Sequence, residues 1–148
     1  WKKFGKAQKL IFSYHGTPKK YLLKGDPYHC FCQKTTRLVA EKMKLKEKEY
    51  ITTFQSRFGP DEWLKPYTDR TIERFGKQGM KKLAIVTPAF GSDCLETLEE
   101  IAMEGEEIFH EVGGEKFTVV PCLNDREDWV KVLSRWIDEW AHQKPVEA

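Results

Sequence analysis

Four short apolar runs recur along the chain, and longer, mostly polar stretches separate them. The runs are rich in β-branched and aromatic residues, and each is bounded by glycine, proline or charged residues, a composition typical of buried strands. We therefore predict strands at residues 9–14, 49–54, 83–90 and 116–120.

The polar stretches carry helical signals. Gly79 and the pair Gly113-Gly114 stand where two of the helices should end, because glycine favours the position after a helix C-terminus. The last stretch repeats apolar residues at helical spacing, namely Trp129, Val132, Leu133, Trp136 and Trp140. We predict helices at residues 27–43, 68–78, 93–111 and 125–142.

Strand and helix thus alternate four times within 148 residues. This pattern predicts one α/β domain over residues 1–148, with a four-stranded parallel sheet flanked by helices in a Rossmann-like arrangement. Ligands of open α/β sheets bind outside the carboxyl ends of the strands. At those ends the sequence places His15, then Arg57, then Phe90 and Glu96.

An acidic row, Glu96, Glu100 and Glu104, recurs every four residues in the third predicted helix. At that spacing the three carboxylates share one helical face, and their repulsion costs a few tenths of a kcal/mol per pair. A row that repels itself indicates a path for a cation. The structural alternative is a solvated face that begins with a capping box between Asp93 and Glu96.

Composition removes several classes of function. The net charge of +2, from 25 basic and 23 acidic residues, gives no strong field for nucleic acid, and no apolar run reaches transmembrane length. Four scattered cysteines indicate neither a disulfide framework nor a zinc or iron–sulfur site, so we expect a cytoplasmic protein. The chain lacks a glycine-rich phosphate loop and a G-x-S-x-G elbow. Its first residues resemble the end of a helix, and we expect a fragment or a processed chain.

Four separated motifs resemble those of the ferrochelatases, in that family's order and over nearly the whole chain. The motifs are Phe12-Ser-Tyr-His-Gly-Thr-Pro18, Gly25-Asp-Pro-Tyr28, Thr53-Phe-Gln-Ser-Arg-Phe-Gly-Pro60 with Trp63-Leu-Lys-Pro-Tyr-Thr-Asp69, and Ala89-Phe-Gly-Ser-Asp-Cys-Leu-Glu-Thr-Leu-Glu99. Four motifs are far more specific than one, and the similarity is greatest to bacterial members.

The resemblance implies insertion of Fe²⁺ into protoporphyrin IX to give haem, the last step of haem biosynthesis. Ferrous iron is then a substrate, and no cofactor is required. The family's fold is two similar α/β halves around a porphyrin cleft, and this chain is similar only to the C-terminal half. Its own N-terminal half is therefore an expected partner, and peripheral contact with a membrane stays open.

The same resemblance assigns the catalytic and metal-handling residues. His15 corresponds to the family's active-site histidine, which either takes protons from the pyrrole nitrogens or delivers the metal. Glu96 corresponds to the catalytic glutamate, and Glu100 and Glu104 continue the acidic path. These three glutamates and His15 are the predicted metal ligands. Cys94 stands where some members carry a histidine, which argues against a two-histidine scheme.

Four further residues are predicted to contact the porphyrin. Trp63 and Phe90 correspond to aromatic residues that line the cleft, although plain core packing is an equal alternative for Trp63. Ser13 lies in the histidine motif and is predicted to line the same site. Arg57 is interpreted as a ligand for a porphyrin propionate, or else as the partner of a nearby acid.

Two other functions stay open from the sequence. The chain alone is either the catalytic half of a ferrochelatase or an inactive half-domain that binds porphyrin weakly or not at all, because half a cleft buries little of a flat ligand. A chelatase for another tetrapyrrole, such as coproporphyrin, is the third hypothesis.

Overall fold

A parallel β-sheet forms the centre of the molecule. The computed structural model describes residues 1–2 and 5–142. The strands in this part are β1 (Lys9–His15), β2 (Tyr50–Gln55), β3 (Lys82–Val86) and β4 (Lys116–Val119). They form one four-stranded sheet in the order β2-β1-β3-β4, and every neighbouring pair is parallel. The predicted α/β class is confirmed.

Helices follow each strand. They are α1 (Lys19–Leu23), α2 (Tyr28–Lys42), α3 (Thr68–Lys77), a π-helix (Glu96–Glu104) continued by α4 (Gly105–Glu111), and α5 (Glu127–Ala141). The sequence did not predict α1 or the 3₁₀ turn Glu47–Glu49. In the described ranges, no helix is both long enough and apolar enough to cross a bilayer.

The third strand and its helix differ from the prediction. β3 ends at Val86 rather than at residue 90, because Pro88 has no N–H for the ladder and Phe90 N–H turns back to the Thr87 carbonyl (3.0 Å). The helix begins at Glu96 rather than at residue 93, without a side-chain cap. The capping box was wrong.

Asp93 serves instead to join two strand-end loops. Its backbone N–H donates to Asn124 Oδ1 (2.9 Å), and Asn124 Nδ2 donates back to its carboxylate (2.7 Å). This reciprocal pair ties the loop after β3 to the loop after β4.

The two faces of the sheet carry separate cores. On one face, Ile11 of β1 packs with the side chains of α3 and α4, among them Ile72 and Phe109. On the other face, Phe12 packs towards α2. Successive strand residues point to opposite faces, so the side chains of residues 13 and 15 share the face that carries α3 and the π-helix.

The last helix is uncovered. None of the fifteen residues of α5, all of them described, is buried. Its exposed apolar side chains include Trp136 (51% exposed), Ile137 (63%) and Trp140 (74%). An apolar helical face this open is typical of a surface that packs against another polypeptide segment.

Candidate active site

The residues predicted to share one edge of the sheet meet where the strand order reverses. β1 is the neighbour of both β2 and β3, and the chain builds outward on the two sides. His15 ends β1, and Phe90 lies in the loop after β3. In open α/β sheets this crevice is the usual ligand site.

The His15 imidazole lies near two aromatic rings. Its centroid is 6.4 Å from that of Trp63 and 6.4 Å from that of Phe90. Nδ1 is 2.7 Å from the Gly16 carbonyl oxygen, which can only accept a hydrogen bond, so Nδ1 carries the proton. In the neutral ring Nε2 therefore has a free lone pair, as a proton acceptor or a metal ligand requires.

Three hydrogen bonds hold the backbone around His15. The Gly16 N–H donates to the Gln55 carbonyl (2.8 Å), and the Leu64 N–H donates to the Thr17 carbonyl (3.0 Å). The Tyr28 hydroxyl donates to the His15 carbonyl (2.9 Å). Burial raises the pKa of Tyr28, so its hydroxyl keeps the proton that this bond needs.

Glu96 opens the π-helix and lies near the histidine. A hydrogen bond from the Cys94 thiol, followed by its own backbone N–H and the charge of His15, lowers the pKa of Glu96 below its usual value. Cys94 thus favours the ionised form of Glu96. A carboxylate near an imidazole can accept a proton from it or attract a cation.

The rest of the acidic row faces a different space. Glu100 accepts hydrogen bonds from the Ser56 backbone N–H (2.6 Å) and hydroxyl. Glu100 and Glu104 line a cavity of about 200 Å³ together with Arg57 and Asp69. Glu96 does not line that cavity, so the row runs from the His15 side into a pocket between α3 and the π-helix.

The predicted metal ligands do not form a closed coordination sphere. Among residues 1–2 and 5–142, no three His, Cys, Asp or Glu side chains are grouped closely enough to hold a metal ion. The cysteines are divided likewise, because Cys30 and Cys32 lie on α2 whereas Cys94 and Cys122 lie beyond β3 and β4.

The structure places Ser13 beneath the crevice. Its side chain is completely buried, with Oγ hydrogen-bonded to Gln55 Oε1 (2.7 Å) and Thr68 Oγ1 (2.8 Å). Because Ser13 is two residues before His15 on the same strand face, it lies one layer below the crevice. Its effect on the site passes through Gln55.

Arg57 is already engaged by an acid, the alternative that the sequence left open. Its two terminal nitrogens donate to the two carboxylate oxygens of Asp69 (2.7 and 2.8 Å), and the guanidinium lies 4.3 Å from the Tyr67 ring centroid. A porphyrin propionate would have to displace this bidentate pair.

Trp63 is part of the floor of the crevice. It is 5% exposed, and its indole N–H donates to the Phe58 carbonyl (2.9 Å). The Phe58 ring packs against it in a tilted arrangement, at 5.1 Å between centroids, and is 76% exposed. Trp63 therefore packs under His15, while Phe58 and Phe90 are the aromatic rings open to a ligand.

Sequence reasoning missed the supporting residues of the site. Tyr28, Gln55 and Ser56 all lie in motifs quoted for the ferrochelatase resemblance, but none received a role. Their polar side chains within otherwise apolar or turn segments were the available signal.

The Arg57–Asp69 pair should stabilise the fold in a pH-dependent way. Burial is the largest single influence and raises the pKa of Asp69. The hydrogen bonds from Arg57 and from the Arg70 backbone N–H, together with the charges of both arginines, outweigh it, so the pKa lies below its usual value. The stabilisation is thus complete above the unfolded pKa of about 3.9 and lost as pH falls through the folded pKa. With both side chains over a third exposed, solvent screens the pair. We expect Arg57→Met to lower the free energy of unfolding by about 1 kcal/mol at pH 7.

Urea denaturation of wild type and variant at pH 7, 5 and 3 measures this effect. Arg126→Met is the matched control, since Arg126 also forms two hydrogen bonds to one carboxylate, that of Asp128, but both side chains are more exposed (63% and 70%). Its effect should be smaller. An Arg57→Met difference that persists unchanged at pH 3 would contradict the assignment to the ion pair.

The sequence is similar to that of known ferrochelatases. Residues 1–141 match the family model Ferrochelatase. A curated ferrochelatase from Rhizobium johnstonii is 55% identical over 130 residues, which are 88% of this chain and 38% of that protein. One from Agrobacterium fabrum is 57% identical over 126 residues (85% and 37%), and one from Methylibium petroleiphilum is 48% identical over 147 residues (97% and 40%). The chain spans about two fifths of the length of these relatives.

The fold is also similar to a solved structure. A crystal structure from Marinobacter aquaeolei, described as a cobalamin (vitamin B12) biosynthesis CbiX protein, superimposes with a TM-score of 0.55 at 14% identity. The match covers 92% of this chain and 98% of that one, and it bears on the fold alone. Because the family model matches nearly all of the sequence and the relatives agree with it, the chain belongs to the ferrochelatase family.

Proposed function

We propose that this chain is the catalytic C-terminal half of a ferrochelatase that inserts Fe²⁺ into protoporphyrin IX to form haem. The observation that carries the proposal is the crevice at the switch point. There His15, whose Nε2 lone pair is free, lies near the rings of Trp63 and Phe90, and its charge helps to keep Glu96 ionised. Family membership supplies the reaction class, and the geometry supplies groups suited to it.

The chemistry requires two protons to leave the pyrrole nitrogens as Fe²⁺ enters, so the ring changes from a neutral diacid to a dianion that binds the metal. His15 Nε2 takes one proton from the ring, and Glu96 stabilises the imidazolium and accepts that proton. The restored imidazole can then take the second proton. Phe90 and Phe58 offer apolar surface to the macrocycle. Glu100 and Glu104, with Glu96, provide oxygen donors that bind Fe²⁺ only moderately, as a delivery route needs.

The partner that completes the site is the protein's own N-terminal half. The chain spans about 38% of the relative from Rhizobium johnstonii, so most of a comparable protein lies outside it. The open apolar face of α5 offers a surface for that half to cover. The chain joined to its N-terminal half is called the complete polypeptide below. Since the four cysteines are free thiols, we place the reaction in the cytoplasm.

A fluorescence titration tests the proposal. An N-methylated porphyrin, which is bent like a ring during metallation, is added to the complete polypeptide and to the 148-residue chain, and quenching is followed. Zinc and ferrous insertion into protoporphyrin IX and coproporphyrin are measured in parallel. We expect binding and metallation by the complete polypeptide, with protoporphyrin as the faster substrate.

Each other outcome has a defined meaning. Steady metallation by the chain alone would show that one half suffices, and faster turnover of coproporphyrin would replace the substrate. Failure of the complete polypeptide to bind or metallate either porphyrin would overturn the proposed function.

A further inference from the structure

We propose that Gln55 is a positioning residue that holds the π-helix, and with it Glu96 and Glu100, against the strand that ends in His15. The inference deepens the proposed function and rests on it for its kinetic consequence. Its structural part rests on a single side chain that connects the floor of the crevice to the acidic row.

Gln55 is placed to make this connection. It is the last residue of β2 and the register partner of His15 on β1. Its side chain is 3% exposed, so each of its polar atoms needs a partner within the protein. Its backbone carbonyl accepts the Gly16 N–H, so its main chain also supports the loop behind the histidine.

The orientation of the Gln55 amide is fixed from below. The completely buried Ser13 hydroxyl donates to Oε1 (2.7 Å). The Ser13 Oγ is in turn hydrogen-bonded to Thr68 Oγ1 (2.8 Å), which is hydrogen-bonded to Thr53 Oγ1 (2.9 Å). Since Oε1 faces this hydroxyl network, the Nε2 donor must face the π-helix.

Both Nε2 hydrogens are used on the acidic row. One bond goes to the backbone carbonyl of Glu96 (2.9 Å), and the other goes to Glu100 Oε2 (3.3 Å). The next residue completes the clamp, because the Ser56 N–H donates to Glu100 Oε1 (2.6 Å). The end of β2 is thus hydrogen-bonded to the first turn of the π-helix at two places, the Glu96 carbonyl and the Glu100 carboxylate.

This clamp accounts for the unusual helix geometry. π-helices are rare because their i→i+5 bonds are less favourable, and they persist where other contacts support them. Such a bond is present here from the Gly105 N–H to the Glu100 carbonyl. A side-chain donor that binds a carbonyl of the first turn and a carboxylate four residues later favours the wider turn. Gln55 therefore sets which way Glu96 points.

The test uses the complete polypeptide and three variants. Gln55→Glu keeps the shape but replaces the donor with a carboxylate oxygen that faces the Glu96 carbonyl and the Glu100 carboxylate. Gln55→Met removes the donor without adding charge. Gln33→Glu is the matched control, because it makes the same chemical change on an exposed face of α2.

Two readouts are combined. In Gln55→Glu we expect kcat for metallation to fall by about 10- to 100-fold while KM for the porphyrin stays within about threefold, because orientation rather than binding is lost. Hydrogen exchange of amides 97–105 should accelerate by about tenfold, with the amides of β1 unchanged. For Gln55→Met we expect kcat and exchange rates intermediate between those of wild type and Gln55→Glu. Gln33→Glu should match wild type in both readouts.

The outcomes separate the clamp from the proposed function. A Gln55→Glu protein with wild-type kcat and exchange would overturn the inference. Exchange that accelerates equally in β1 would overturn it too, because Gln55 would then be a general stabilising residue. Absence of metallation by the unmodified complete polypeptide would overturn the proposed function, whereas the exchange pattern would still decide whether Gln55 holds the π-helix.

Discussion

His15→Ala should remove nearly all metallation activity of the complete polypeptide. The variant removes the Nε2 lone pair that the Gly16 contact keeps free. General base catalysis contributes about 10²- to 10⁴-fold, so we expect kcat for zinc and ferrous insertion to fall by about a thousandfold. Affinity for an N-methylated porphyrin should weaken less, because the surrounding aromatic surface remains.

His110→Ala is the matched control for this experiment. His110 lies on α4 and contacts the Gly114 carbonyl (2.9 Å), just before β4 begins. It is thus at the amino edge of the sheet, opposite the crevice, and its loss should leave kcat within about twofold of wild type. Near-normal turnover by His15→Ala would refute the role assigned to His15, whereas equal losses in both variants would indicate a folding defect.

The main features of the fold could be predicted from local patterns. Apolar runs and glycine stops located the strands and all but one of the α-helices within a few residues, because short-range periodicity determines which face is buried. Parallel pairing then brought His15 and Phe90 to one edge, as expected of strand ends. β3 ends early because of one residue, Pro88. The apolar run around it continued to residue 90 and so gave no sign of this end.

The site itself depended on long-range contacts that spacing does not encode. Glu100 is turned by Ser56, which is 44 positions away, and a π-helix has no local signal that distinguishes it from an α-helix. The depth of Ser13 and the pairing of Arg57 with Asp69 likewise follow from how α3 packs on the sheet. Motif resemblance predicted which residues matter, and only the structure separates those in the crevice from those beneath it.

Gly16 lies directly after His15 and contacts the residues beneath the crevice. Gly16→Ala should therefore lower both stability and activity. A Cβ there would lie 2.8 Å from the Gln55 carbonyl oxygen and 3.0 Å from Trp63 Cε3. The first contact is with backbone that also accepts the Gly16 N–H, so it cannot move without breaking that bond. Overpacking of this kind costs about 2 kcal/mol of folding free energy.

The functional effect of Gly16→Ala should exceed its effect on stability. The loop can relieve the clash only by shifting the carbonyl that holds His15 Nδ1, and a displacement of about 1 Å at a catalytic group costs about 100-fold in rate. We therefore expect kcat to fall about 100-fold at temperatures where the variant is fully folded. The imidazole resonances of His15, followed by NMR, should shift as well.

Gly91→Ala shows whether this reasoning is right. Its added Cβ would meet nothing nearer than Trp129 Cζ2, at an ordinary 3.9 Å, although it also lies in a strand-end loop at the same edge of the sheet. We expect its free energy of unfolding to stay within about 0.5 kcal/mol of wild type. If Gly16→Ala proved as stable as Gly91→Ala and kept the wild-type His15 resonances, the carbonyl of Gln55 would not be the fixed support that the geometry implies. The clamp through the Gln55 side chain would then have to hold the π-helix without a rigid strand end behind it.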